Sequence, residues 1–160
     1  MRQRILGTCL VVSLATFAIT SPAPQAQQAK IENASVSTGA RSASAQINAI
    51  RARANLHKVR RSAKLDAAAL AHARDMASNR FMSHTSSDGS DLRVRVARVG
   101  YKWCSLAENV SRGYRTEARA IENWRQSPGH YRNLTNKKVK EFGLANVNGF
   151  RVMVLGASRC

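Results

Sequence analysis

The chain has 160 residues, with 26 Lys or Arg against 9 Asp or Glu and a formal net charge of +17. That length suits a single domain, which commonly holds on the order of 100–150 residues. With no phosphate-cradling glycine loop, no dinucleotide fingerprint and no compact zinc motif, the sequence argues against ATP-driven and redox-cofactor enzymes. Its basic residues are scattered and its aromatics few, so no specific nucleic-acid module is indicated.

Arg2 and Arg4 precede an uncharged, mostly apolar run from Ile5 to Thr20. Ser21-Pro22-Ala23-Pro24-Gln25-Ala26 follows. A charged start, an apolar middle and a small-residue exit describe a secretory signal peptide over 1–26, cut near Ala26. The apolar run of about 16 residues is shorter than the roughly 20 a membrane-spanning helix needs. Cleavage leaves 24 basic and 9 acidic residues, a net charge of +15. Such a field concentrates anionic partners, here an anionic lipid or an envelope polymer. The expected location is secreted or periplasmic. Residues 27–42, rich in Ala, Ser, Gln and Thr, read as a flexible leader, and 43–160 as the folded domain.

Ser44 to Leu56 has Ile47, Ile50 and Ala54 spaced for one helical face, and a short basic connection follows. Leu65 to Arg80 is a stronger helix, with Leu65, Ala69, His72 and Met76 on one side. Phe81 to Ser90 reads as a loop, and Asp91 to Val99 as a short helix stopped by Gly100. Cys104 to Arg112 reads as an extended segment. Thr116 can cap a helix to about Ser127, broken by Pro128-Gly129. Two strands, Glu141 to Val147 and Phe150 to Ala157, flank Asn148-Gly149, a strong hairpin signal. Helices early and strands late predict an α+β fold with helices covering a small sheet.

Cys9 leaves with the signal peptide. Cys104 and Cys160 remain, an even number in an exported chain, which predicts a disulfide; two unpaired thiols are the alternative. The closed loop of about 57 residues would be worth roughly 4 kcal/mol on chain-entropy grounds.

Four stretches carry chemistry. Phe81-Met82-Ser83-His84 puts a histidine just past a helix. Ala107-Glu108-Asn109-Val110 places a carboxylate in an apolar extended segment. Trp124 to Asn133 sets His130 beyond a helix break. Glu141-Phe142-Gly143-Leu144-Ala145 opens the closing strands. With Ile47-Asn48, Arg51, His72-Ala73, Asp75-Met76-Ala77, Gly100-Tyr101 and Ser127-Pro128-Gly129-His130, these pieces run in order from about Gln46 to Ser158. In that order and spacing the chain resembles the CAP superfamily (cysteine-rich secretory proteins, antigen 5 and pathogenesis-related 1 proteins), its bacterial SCP-like extracellular branch in particular.

The resemblance implies a three-layer α-β-α sandwich with a small central, mainly antiparallel sheet, and a cleft lined by two histidines and two acids. By motif, His84 is the first histidine, Glu108 the first acid and His130 the second histidine. The second acid of many eukaryotic members follows the helix tryptophan by three positions, and Ser127 stands there instead. The expected cleft lining is therefore His84, Glu108, Ser127 and His130.

Two imidazoles and a carboxylate suit a divalent metal such as zinc, with His84 and His130 as ligands. They equally suit an acid–base set around water, which makes His84, Glu108 and His130 the catalytic candidates. A third reading has Glu108 hydrogen-bonding the histidines as a structural network. No cofactor is required; a divalent metal such as zinc is the one the site could hold. His72 reads as packed and His57 as solvated. Ser83 and Ser127 neighbour the cleft histidines without a visible oxyanion hole. Tyr101, Trp103 and Tyr131 read as packing or cleft wall. Asn33, Asn109 and Asn133 begin N-x-Ser/Thr patterns. Three functions are compatible with these features: an envelope or extracellular binding module for an anionic partner or small apolar ligand, a metal-assisted or general-base hydrolase, and an interaction protein with a vestigial cleft.

Overall fold

The computed structural model describes residues 43–159. The expected signal peptide, the leader with Asn33, and Cys160, hence the Cys104–Cys160 pairing, lie outside the described residues. Helix α1 covers 43–53. It is followed by β1 (Arg60–Arg61), α2 (Ala63–Asn79), α3 (Leu92–Arg98), β2 (Ser105–Arg112), α4 (Glu117–Gln126), α5 (Pro128–Leu134), β3 (Glu141–Val147) and β4 (Phe150–Ala157).

Alanine-rich α2 follows strong helix propensity, with Asp66 in its first turn. It stops at Arg80, whose left-handed backbone lets its N–H reach the Met76 carbonyl. Asp91 and Thr116 cap α3 and α4 by accepting from Val94 and Arg119. Pro128 opens α5, where its missing N–H costs nothing. Asn148 and Gly149 both have positive φ, 49° and 85°, as a two-residue hairpin turn requires.

The sheet order is β1-β3-β4-β2, with β1 parallel to β3 and the other pairs antiparallel. Strand β4 lies centrally and is buried along its whole length. Both of its faces are covered, so it carries a continuous rather than alternating apolar run. On one face Met153 and Leu155 meet Ile47 and Ile50 of α1, Ile121 and Trp124 of α4 and Leu134 of α5. On the other, Val152 and Val154 meet Leu65, Ala69 and Met76 of α2 and Val96 of α3. The expected three-layer α-β-α arrangement is what the chain adopts.

The basic connection expected between the first two helices contains β1. Arg60 and Arg61 have no strand signature. They are held by the edge of β3: Arg60 N donates to Lys140 O (3.1 Å) and Ser62 N to Phe142 O (2.9 Å). Beyond β1 the same edge is finished by side chains, as Asp66 accepts from Leu144 N (2.8 Å) and Arg61 Nη2 donates to Leu144 O (3.1 Å).

Candidate functional site

The site forms where the α2–α3 loop, the middle of β2 and the α4–α5 junction meet. Glu108 stands opposite Val154 in the ladder and is 6% exposed. Its Oε1 lies 2.8 Å from His84 Nδ1, and its Oε2 accepts from Arg95 Nη2 at 2.7 Å. Both oxygens of this buried carboxylate are thus engaged, as a buried charge demands. The next residue, Asn109, points to the opposite face. Its amide donates to His130 O (3.2 Å) and accepts from Asn133 Nδ2 (2.8 Å). Asn133 also donates to Glu108 O (3.0 Å), and Trp124 Nε1 to Val110 O (3.3 Å). These two side chains fasten α4 and α5 onto the outer edge of β2.

The two histidines differ in setting. The His84 side chain is 60% exposed, while that of its partner Glu108 is 3%. Hydrogen bonding to Glu108 raises the proton affinity of His84, with burial opposing it. His130 is half-buried, its ring tilted against Trp124 with centroids 6.5 Å apart. Burial lowers its pKa, and the charge of His84 lowers it further, so the two imidazoles share one electrostatic neighbourhood. His130 Nδ1 lies 3.0 Å from Ser127 Oγ. Ser127 both ends α4 and precedes α5, and its hydroxyl makes no capping bond there.

The structure therefore brings His84 to Glu108 and His130 to Ser127. Among the described residues, no group of three or more His, Cys, Asp or Glu is arranged to hold a metal ion. Glu108 is already committed on both oxygens. In each ring it is Nδ1 that is engaged, on Glu108 Oε1 for His84 and on Ser127 Oγ for His130. Beside His84 lies an open hollow of about 320 Å³, lined also by Thr85, Asp91, Leu92, Arg93 and Glu108.

Arg95 was not singled out by sequence. Arg95 is 4% exposed and donates to His84 O (2.9 Å), Ser90 O (3.0 Å) and Ser86 Oγ (3.3 Å) as well as to Glu108. His72 is packed, 1% exposed, with Nε2 on Ser83 O (2.8 Å) and Nδ1 on Ser86 Oγ (3.0 Å). Burial lowers its pKa. Ser83 Oγ is taken up within its loop, accepting from Thr85 N. His57 is exposed, and its Nε2 lies 2.9 Å from Val139 O. Tyr101 is buried, donating to Glu141 Oε2, whereas Trp103 and Tyr131 are 41% and 37% exposed, so neither is core packing. Asn109 is fully buried, and Asn133, partly buried, has its amide nitrogen bound to Glu108 O and Asn109 Oδ1.

Comparison with known proteins agrees with this fold. The fold matches an extracellular protein containing an SCP domain from Bacillus anthracis: TM-score 0.71, 24% identity, covering 86% of this chain and 45% of that one. It also matches an outer surface protein from Borrelia burgdorferi (TM-score 0.67, 21% identity, 74% of this chain and 92% of that one). A cysteine-rich secretory protein from Staphylococcus aureus gives TM-score 0.64 at 18% identity, over 74% of this chain and 38% of that one. By sequence, 97 residues are 28% identical to an uncharacterized membrane protein of Bacillus subtilis, spanning 61% of this chain but about a quarter (28%) of that protein's length. No helix among the described residues is long and apolar enough to cross a membrane. Residues 45–152, well over half the chain, match the cysteine-rich secretory protein family, and the protein belongs to that CAP family.

Proposed function

We propose that the protein is an exported binding module of the cell envelope or exterior. Its cleft takes a divalent ion at His84 and His130, and its basic surface holds it against anionic lipid or envelope polymer. The observation that carries the cleft reading is the commitment of Glu108. With one oxygen on His84 and the other on Arg95, it is a fixed partner for an imidazole and not a mobile base for water. A carboxylate on the far nitrogen of a histidine is the arrangement that orients metal-binding imidazoles. The export and surface parts are supported by the N-terminal sequence, the net charge and the likeness to an extracellular protein of Bacillus anthracis and an outer surface protein of Borrelia burgdorferi.

Zinc titration by calorimetry tests the cleft, with the His84→Ala/His130→Ala variant alongside. One saturable site lost in the variant is the expected result. Equal binding by both proteins would sink the assignment. Sedimentation with anionic and neutral vesicles tests the surface, where binding should fall steeply with salt.

One observation favours a second reading, a hydrolase. His84 has a raised proton affinity, an exposed ring and a buried carboxylate behind it, which is how a general base is oriented. Hydrolysis of ester or peptide substrates, lost in His84→Ala, would favour it over binding alone.

A further inference from the structure

We propose that Arg95 is the positioning residue of the cleft, because it grips His84 at both ends: directly at its backbone carbonyl, and through Glu108 at its ring. This rests on the reading of His84 as a ligand-binding group.

Two of the buried arginines, Arg51 and Arg95, differ in how they spend their guanidinium groups. Arg51, fully buried, spends its guanidinium on the main-chain carbonyls of His57, Leu134 and Asn136 and lies close to the His57 ring. That is the pattern of an arginine fastening chain segments together. Arg95 divides its fork differently. Nη1 takes His84 O, Ser90 O and Ser86 Oγ, Nη2 takes Glu108 Oε2, and Nε is left buried without a partner. An unmet buried donor is costly. The arrangement accepts that cost while keeping the carboxylate and the histidine carbonyl in register.

The consequence is chemical. Arginine only donates, so it fixes an acceptor at Oε2. A carboxylate only accepts, so Oε1 requires the proton of His84 to sit on Nδ1. Nε2 is then the ring nitrogen that keeps a lone pair for a metal ion or a proton, on an exposed side chain that lines the open hollow. Lysine cannot replace this fork, because an ammonium is a single point donor group on a flexible stem.

The isosteric variant Glu108→Gln turns this chain of donors into a test. With Arg95 in place, the glutamine must give its oxygen to Arg95 and its NH2 to His84. The imidazole then has to accept at Nδ1 and carry its proton on Nε2. Imidazole nitrogen-15 shifts, measured at about pH 9 on metal-free protein, read the tautomer directly. The parent should show His84 protonated on Nδ1, and Glu108→Gln should show it on Nε2. In Arg95→Met/Glu108→Gln the amide is free to turn, and both forms should appear. An Nε2-protonated parent, or an Nδ1-protonated Glu108→Gln, would overturn the proposal. Should the double variant not fold, the single variant still decides.

Zinc affinity should also fall at least tenfold in Glu108→Gln although no ligand is removed. The tautomer measurement contains no metal, so absence of zinc binding by the parent would count against the proposed function and leave the role of Arg95 standing.

Discussion

Gly143 of β3 lies against the peptide that joins Leu65 to Asp66 on α2, so closely that a Cβ at position 143 would occupy the space of that backbone. Helix α2 is thereby seated directly on the sheet, and the loop that follows it delivers His84 to Glu108. Nothing flexible stands in the way to yield. Gly143→Ala should therefore cost on the order of 3 kcal/mol, the upper part of the usual range for overpacking. Urea unfolding followed by circular dichroism would measure it. A change under 1 kcal/mol would mean that α2 slides on the sheet.

The His84–Glu108 contact makes a signed prediction about pH. Hydrogen bonding to Glu108 raises the pKa of His84 in the folded state above the roughly 6.5 of an unfolded chain. The stabilisation is complete below about pH 6.5 and is lost as pH rises through the folded value. His72 and His130 act the other way, since burial lowers both, so the unfolded chain takes up those protons first as pH falls. A single profile mixes the three. The difference in Tm between the parent and His84→Asn, both carrying His130→Asn, reads the His84 contribution, and it should be larger at pH 5.5 than at pH 8.5. A constant difference would show that the pair adds no pH-dependent stability.

Much of this was legible in the sequence, and the exceptions share a cause. Asn148-Gly149 announced its hairpin because turn chemistry is local. His84, Glu108 and His130 were found through motif order, since no spacing unites residues so far apart in the chain. Arg95 was not found. In Leu92-Arg93-Val94-Arg95-Val96-Ala97-Arg98 it looks like one of three solvated arginines, and only the arrival of Glu108 from β2 makes its burial tolerable. Strand β1 was missed for the same reason. Arg60 and Arg61 pair with β3 because the edge is there to be paired, not because of their own propensity.

Arg151 gives a case in which a buried charge should be dispensable. It stands opposite Ser111 in the ladder and is 3% exposed, and its Nε and Nη1 have no hydrogen-bond partner; nor has Ser111 Oγ. Burial lowers its pKa, and Glu117 offsets this from a distance without an ion pair being formed. Replacing a poorly compensated buried charge with an apolar side chain of similar size is commonly neutral or stabilising by roughly 1–4 kcal/mol. Arg151→Met should therefore leave the urea midpoint unchanged or raise it. A loss of stability, matched by Glu117→Gln and not additive with it, would mean that Glu117 closes onto Arg151 in solution.

On the proposed metal reading, Ser127 would govern the weaker of the two histidines. Glu108 dictates where the proton of His84 sits, but a hydroxyl can either donate or accept, so Ser127 leaves His130 free to adopt either tautomer. Only the form protonated on Nδ1 offers Nε2 to an ion, so part of any binding energy is spent selecting it. A carboxylate at 127 would remove that cost. Ser127→Asp suits the position, since Asp is as well accepted as Ser immediately before a helix and the existing hydroxyl makes no cap to lose. Second ligand-orienting groups of this kind are worth roughly 10–100-fold in metal affinity. Zinc binding to Ser127→Asp should accordingly tighten by about tenfold. The gain should disappear when His130→Ala is added. A gain that survived the loss of His130 would place the ion elsewhere, and no gain at all would mean that His130 takes no part in holding it.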